Sequence, residues 1–393
     1  MHIEATHSLD TATLDRLLDA ALSEGRLIGA EAWLAVNGQS VYHRAAGWAD
    51  REAGVAMRPN GLFRLASLSK LYTSCAAIRL AARGVLRLDA AVSDYLPYFA
   101  PRLADGSQPV ITLRQLLTHT AGLGYGFLEP AGGGAYHAAG VSDGLDHAAI
   151  SLEENLRRLA AQTLWQAPGQ GWIYSLATDV IGGVLEAATS LPLPEVMRRE
   201  VTAPLGLADT AFHAVDPARL GAAYAETEGG PQRMEQAHRL ILQPECAGIA
   251  YAPARALDQQ AFPSGGAGMV GTAADFLALL EALRVGREDW LPREWRDEMM
   301  RDQIIGIEME GWPGWGHGLA GAVLRDPATA GLPASRGSWR WLGAYGHSWL
   351  VDPARGVSFV VCTNTALEGS VGAFSGEWLQ AVYAALDVER RAA

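Results

Sequence analysis

The sequence predicts an α/β (α+β) protein, a mostly antiparallel sheet flanked by helices with a helical subdomain beside it. Three observations predict this. Strand patterns are confined to the two ends of the chain, helical pieces separated by Gly- and Pro-rich loops fill the middle, and consecutive strands at each end lie close enough to pair as hairpins. One sheet assembled from both ends accommodates all three. The expected division is 1–85 and 266–393 for the two parts of the α/β subdomain, and 86–265 for the mainly helical one.

The elements follow in order. Residues from about Asp10 to Leu22 carry apolar side chains at Leu14, Leu17, Leu18, Ala21 and Leu22, the spacing of an amphipathic helix. Ala32–Val36 and Ser40–Ala45 flank Asn37-Gly38, a hairpin turn in which both central positions favour φ > 0. Phe63–Ala66 leads into a predicted helix from Ser67 to Arg83, with Gly84 as its C-terminal stop. The middle is broken by loops at Gly122–Gly134, Ala167–Gly171 and Glu228–Pro231. Ala320–Leu324, Ser338–Tyr345, Ser348–Val351 and Val357–Cys362 read as strands, and a last helix begins near Phe374.

Composition excludes several functions. At 393 residues, 49% of them hydrophobic, the chain buries a sizeable core without disulfides. A formal charge of −12 argues against nucleic acid or an anionic membrane as partner. No apolar run is long enough to cross a bilayer, and the first residues show no export signal. Cys75, Cys246 and Cys362 are too scattered for a disulfide frame, and the ten histidines lack metal-ligand spacing. The expectation is a cytoplasmic protein without metal or cofactor.

One count points to chemistry. Of 31 basic residues only Lys70 is lysine. Arginine keeps its proton in proteins, whereas a lysine amine gives it up when stripped of water. Ser67 lies three residues before Lys70, so a helix puts both side chains on one face, while Ser69 points elsewhere. A serine hydroxyl is a weak nucleophile until a neighbouring base removes its proton. The competing reading makes Ser67 an ordinary N-cap. Pro168-Gly169-Gln170-Gly171 then forms a turn that delivers Tyr174 at the start of another helix, where its hydroxyl can relay a proton or merely pack.

These residues resemble the family VIII carboxylesterases, the esterase B group of the β-lactamase and penicillin-binding-protein superfamily. The resemblance runs nearly end to end. It is carried by Leu62-Phe63-Arg64-Leu65-Ala66-Ser67-Leu68-Ser69-Lys70, Leu116–Leu123, Tyr174-Ser175-Leu176, Pro263–Gly268 and Trp341–Ser348. It implies a β-lactamase-like fold and a small-molecule ester substrate hydrolysed through an acyl-enzyme. Ser67 is then the nucleophile, Lys70 its base and Tyr174 the relay. The superfamily's Lys-Thr-Gly strand motif corresponds to Trp341-Leu342-Gly343, and the backbone N–H of Ala344 joins that of Ser67 as the oxyanion hole. Two departures stand out: Leu176 replaces an asparagine, and Trp341 replaces a lysine that binds a substrate carboxylate. An apolar wall there favours short neutral esters over penicillin-like anions. Arg340 restores no charge if strand alternation turns it to the other face.

Other residues have two readings each. Tyr125, Trp315, Trp341 and Trp349 either line the pocket or belong to the core. Asp179 either steadies the Lys70–Tyr174 network or sits in the first turns of its helix, and His347 either orients groups near the oxyanion strand or is a satisfied buried histidine. His119 reads as structural. Gly140-Val141-Ser142-Asp143-Gly144 fits the Gly-x-Ser-x-Gly elbow, but no strand precedes it, so Ser142 is expected in a loop. Transacylation or amide and β-lactam hydrolysis at the same serine, and a non-catalytic binding protein on this scaffold, are the alternative functions.

Overall fold

The computed structural model describes residues 10–392. Helix α1 (Ala12–Ser23) buries Leu14, Leu18 and Ala21 on the face predicted from their spacing. Each leucine contributes about 1.5–3 kcal/mol relative to exposure. Strands β1 (Gly29–Val36) and β2 (Gln39–Asp50) form the expected hairpin, with Asn37 and Gly38 both at positive φ. A two-residue strand, β3 (Val55–Ala56), closes that edge.

The other strands of this main sheet come from the other end: β4 (Trp315–His317), β5 (Ala322–Leu324), β6 (Trp339–Gly343), β7 (His347–Asp352) and β8 (Val357–Thr363). They complete an eight-stranded sheet in the order β4-β5-β6-β7-β8-β1-β2-β3, every neighbouring pair antiparallel. The two ends of the chain meet where β1 pairs β8, with Ala30 opposite Thr363 and Val36 opposite Val357. Both strands are almost wholly buried, as strands covered on two faces must be. The short edges β3 and β4 escaped the sequence reading, because two or three residues carry no alternation to detect.

Helices cover both faces. On one, α1 packs against the terminal helix (Ala373–Ala392), and Tyr42 of β2 meets Trp378. On the other, a helix at Ala273–Glu281 sets Phe276 against Trp349 of β7. Beneath it runs α2 (Ser69–Ala82), with every residue from Ser69 to Ile78 buried, against the helix at Ala177–Thr189. The predicted start of α2 needs a correction. Residues Ala66–Leu68 form a tighter 3-10 turn, Ala66 sits at φ +46°, and the α-helix begins only at Ser69. The caps of both segments make no side-chain bond, so Ser67 does not serve as an N-cap.

Candidate active site

The turn bearing Ser67 is held from two sides. From one comes the 264–269 segment: Leu65 N–H donates to Met269 O (2.9 Å), Met269 N–H to Ser69 Oγ (3.0 Å), and Thr73 Oγ1 to Gly265 O (2.8 Å). From the other comes β6. A side chain at Gly343 would lie 2.9 Å from Leu65 O and 3.0 Å from the His347 ring, so only glycine lets this strand approach the turn. His347 is buried behind Gly343 and its Nε2 bonds Arg64 O at 2.8 Å, with burial pushing the imidazole down to about 4. A neutral ring thus ties β7 to the residues just before Ser67.

Lys70 is 4% exposed. Its Nζ lies 3.2 Å from Ser67 Oγ and donates to Gly266 O at 2.8 Å, over the rings of Tyr174 (4.8 Å) and Tyr125 (5.3 Å). Tyr174 approaches from the opposite side, its hydroxyl donating to Ser67 Oγ at 2.6 Å. One hydroxyl therefore touches both an amine and a phenol. Ser69 points away, as its spacing implied.

The loop carrying Tyr174 is zipped to the 119–124 turn. Ile173 N–H donates to His119 O (3.0 Å), Gly169 N–H to Thr120 O (2.8 Å) and Leu176 N–H to Gly124 O (3.1 Å), while His119 Nδ1 meets Ser175 Oγ (3.1 Å). The Tyr174 ring is wedged between Tyr125 (5.0 Å), His119 (5.1 Å) and Trp341 (5.3 Å). His317, which the sequence did not single out, stands edge-on to both His119 and Trp341 and bonds Gly318 O. Burial lowers both histidines, His317 to about 4, so neither brings a charge to the site at neutral pH.

Ser67 opens into a cavity of about 820 Å³ lined also by Tyr125, Tyr174, Trp341, Gly343 and Ala344. A larger cavity, about 1140 Å³, lies against Met197, Phe212 and Phe262 and contains none of these groups. Of the four aromatics with two readings, Tyr125 and Trp341 line the cavity, whereas Trp315 and Trp349 do not, and neither does Leu176. Trp349 packs on Trp339 and Phe276, Trp315 lies against Trp312, and Leu176 is fully buried beneath the Tyr174 loop. Trp312, stacked on Trp341 at 5.3 Å, lines the cavity instead. Arg340 does turn to the far face, where it reaches Ser375.

Asp179 stands behind the site rather than in its wall. A side chain on Gly266 would come within 2.6 Å of Asp179 Oδ2 and 3.5 Å of Lys70 Nζ, so the bare glycine separates acid from amine. Burial holds the Asp179 carboxyl above the usual carboxylate range. The Ser264 hydroxyl lies beside it without reaching full hydrogen-bond geometry. Ser142, by contrast, is buried in its loop, bonded to Asp146 and accepting from Gly144 N–H (3.1 Å). Its neighbour Asp143 lines the cavity and accepts from Gly126 N–H (2.8 Å) and Phe127 N–H (2.9 Å), with burial lifting its carboxyl to about 7. Asp143 was overlooked, being hidden inside a motif set aside for its serine.

Known proteins share this arrangement of elements. The Beta-lactamase family model matches residues 14–379. Esterase EstB of Burkholderia gladioli is 49% identical over 96% of this chain and 97% of its own. The solved structure of EstCE1, described as a hydrolase with promiscuous acyltransferase activity, is 43% identical with a TM-score of 0.91, covering 95% of this chain and 98% of that one. The unliganded simvastatin synthase LovD of Aspergillus terreus has a TM-score of 0.72 at 21% identity over 95% and 98% of the two chains, a likeness of fold alone. The chain belongs to the beta-lactamase family and, within it, to the family VIII carboxylesterases.

Proposed function

We propose that the chain hydrolyses neutral carboxylic esters with short acyl groups, with Ser67 as nucleophile. The observation that carries this is the double contact on Ser67 Oγ, 3.2 Å from Lys70 Nζ and 2.6 Å from Tyr174 OH, at the floor of an apolar cavity. In its neutral form Lys70 takes the Ser67 proton as Oγ attacks the ester carbonyl. The oxyanion forms against the backbone N–H groups of Ser67 and Ala344, and losing one such donor costs roughly 10²–10³ in rate. Tyr174 passes the proton taken up by Lys70 to the leaving alkoxide and the alcohol departs; water deprotonated by the same pair then attacks the acyl-enzyme, the Ser67 Oγ–acyl bond breaks, the acid is released and the pair returns the proton to Oγ. Gly266 O fixes the amine, and the 119–124 zipper fixes the phenol. His347 and Asp179 act through their neighbours, as positioning groups.

Trp341 supports the preference for neutral esters, since the wall holds an indole where the superfamily motif has a lysine. A second reading, acyl transfer to an alcohol, draws on EstCE1, whose description includes acyltransferase activity, and on a wall that favours organic acceptors over water. Among the described residues no helix is long and apolar enough to cross a membrane, and all three cysteines are buried and unpaired.

The test is fluorophosphonate labelling with peptide mapping, alongside p-nitrophenyl acetate and butyrate turnover by the wild type and Ser67→Ala. Label on Ser67, and turnover abolished in the variant, are expected. Label on another serine discards the mechanism, and neither label nor turnover points to a binding protein.

A further inference from the structure

The wall of the catalytic cavity is aromatic and, where it is charged, acidic. Trp165, Trp172, Trp312, Trp341, Tyr125 and Phe127 line it, and the rings of Trp172, Tyr174, Trp341 and Trp312 form a continuous series at centroid distances of 5.3–6.4 Å. The charged side chains in this lining are Asp143 and Glu310, and no arginine or lysine joins them. Lys70 lies behind Ser67, already over two of the ring faces. The formal charge of the whole chain is −12.

These features share one complement. Aromatic faces attract cations, most strongly where water is excluded, and quaternary ammonium groups are held by such rings. A nearby carboxylate adds attraction and repels anions, and a net negative protein draws cations toward its clefts. Resting on the esterase reading above, in which the indole of Trp341 ranks neutral esters over anionic ones, we infer that the cavity ranks cationic esters higher still and selects those carrying an ammonium group on the acyl or alcohol side, held by the aromatic wall with Asp143 and Glu310 as counter-charges. The covalent steps at Ser67 are unchanged. The ammonium group is recognised, not transformed.

The experiment uses the full chain at pH 8, above the value to which burial lifts Asp143. Butyrylcholine is compared with its uncharged isostere, 3,3-dimethylbutyl butyrate. We expect at least a tenfold higher kcat/KM for the choline ester, carried by KM. That ratio should fall at least threefold in Asp143→Asn and in Glu310→Gln. Glu310 is exposed, so its variant reports even if the Asp143 change unsettles the loop. Tetramethylammonium chloride should compete with p-nitrophenyl butyrate, and sodium chloride at equal ionic strength should not. A ratio near one with p-nitrophenyl butyrate still turned over, or no competition by tetramethylammonium, overturns this inference and leaves the esterase reading standing. No turnover of any ester, with Ser67 unlabelled by fluorophosphonate, overturns both.

Discussion

Tyr174→Phe isolates one oxygen. The ring is fixed by Tyr125, His119 and Trp341 at centroid distances of 5.0–5.3 Å, so phenylalanine keeps its place. What disappears is the 2.6 Å bond to Ser67 Oγ. As a structural bond it is worth about 0.5–1.5 kcal/mol, a shift of a few degrees in Tm at most. As a proton relay it is worth about 10²–10⁴ in kcat, or about 3–5 kcal/mol of barrier. The two roles thus differ by an order of magnitude or more in rate. Steady-state turnover of p-nitrophenyl butyrate, burst titration of active sites and a thermal melt measure both. Lys70→Met supplies the second arm, and the double variant completes a cycle. Groups that act as a unit are non-additive, so the double loss should match the worse single loss. A Tyr174→Phe rate within fivefold of wild type, or losses that multiply in the double variant, would refute the shared relay.

Three further outcomes follow from the geometry. Ser142→Ala should keep full activity while costing about 1–3 kcal/mol of stability in urea, because a buried hydroxyl bonded to Asp146 and Gly144 is lost; a folded but inactive variant would make Ser142 the nucleophile. Asp143 is raised to about 7 by burial, with Asp146 adding to the rise and the Gly126 and Phe127 N–H groups and His137 opposing it. The native state then holds the proton more tightly than the unfolded one, so this group's contribution is full below about pH 4 and is lost as pH rises through 7. Urea midpoints from pH 4.5 to 8.5 should therefore fall less steeply in Asp143→Asn than in wild type, and parallel curves would contradict the assignment. Trp341→Lys places a cation in the cavity wall: nitrocefin hydrolysis should rise relative to p-nitrophenyl butyrate by at least tenfold. Wild-type nitrocefin turnover matching that of the short ester would overturn the argument from Trp341.

Which parts of the molecule were legible in the sequence depended on whether the signal was local. The Asn37-Gly38 hairpin and the apolar face of α1 are read from a few neighbouring residues, and both stand in the structure. Ser67 and Lys70 were singled out by a spacing of three and by residue type, and they do approach one another. The reason differs in detail, since the spacing spans a 3-10 turn with Ala66 at positive φ, which no propensity signals. The cavity wall was far less legible. It draws on Phe127 from a single 3-10 turn and on Leu242, Trp312 and Leu367 from loops without periodicity, whose inward or outward direction depends on tertiary contacts. Trp312 and Trp315 are three residues apart and equally apolar, yet only the first faces the cavity because the second is fixed in β4. His317 was passed over because nothing near it in sequence hints at Tyr174.

The pairing of β1 with β8 also governs how the protein is made. On the ribosome the β1–β2 hairpin follows α1 and precedes the other strands of the sheet, but its inner edge stays unpaired until β8 is synthesised. An open edge of that kind is a template for mispairing, and contacts between distant parts of a chain form slowly. The serine and its amine leave the ribosome long before β6 supplies the opposite wall. A growing chain therefore carries Ser67 and Lys70 without their facing cavity wall until β6 has been made.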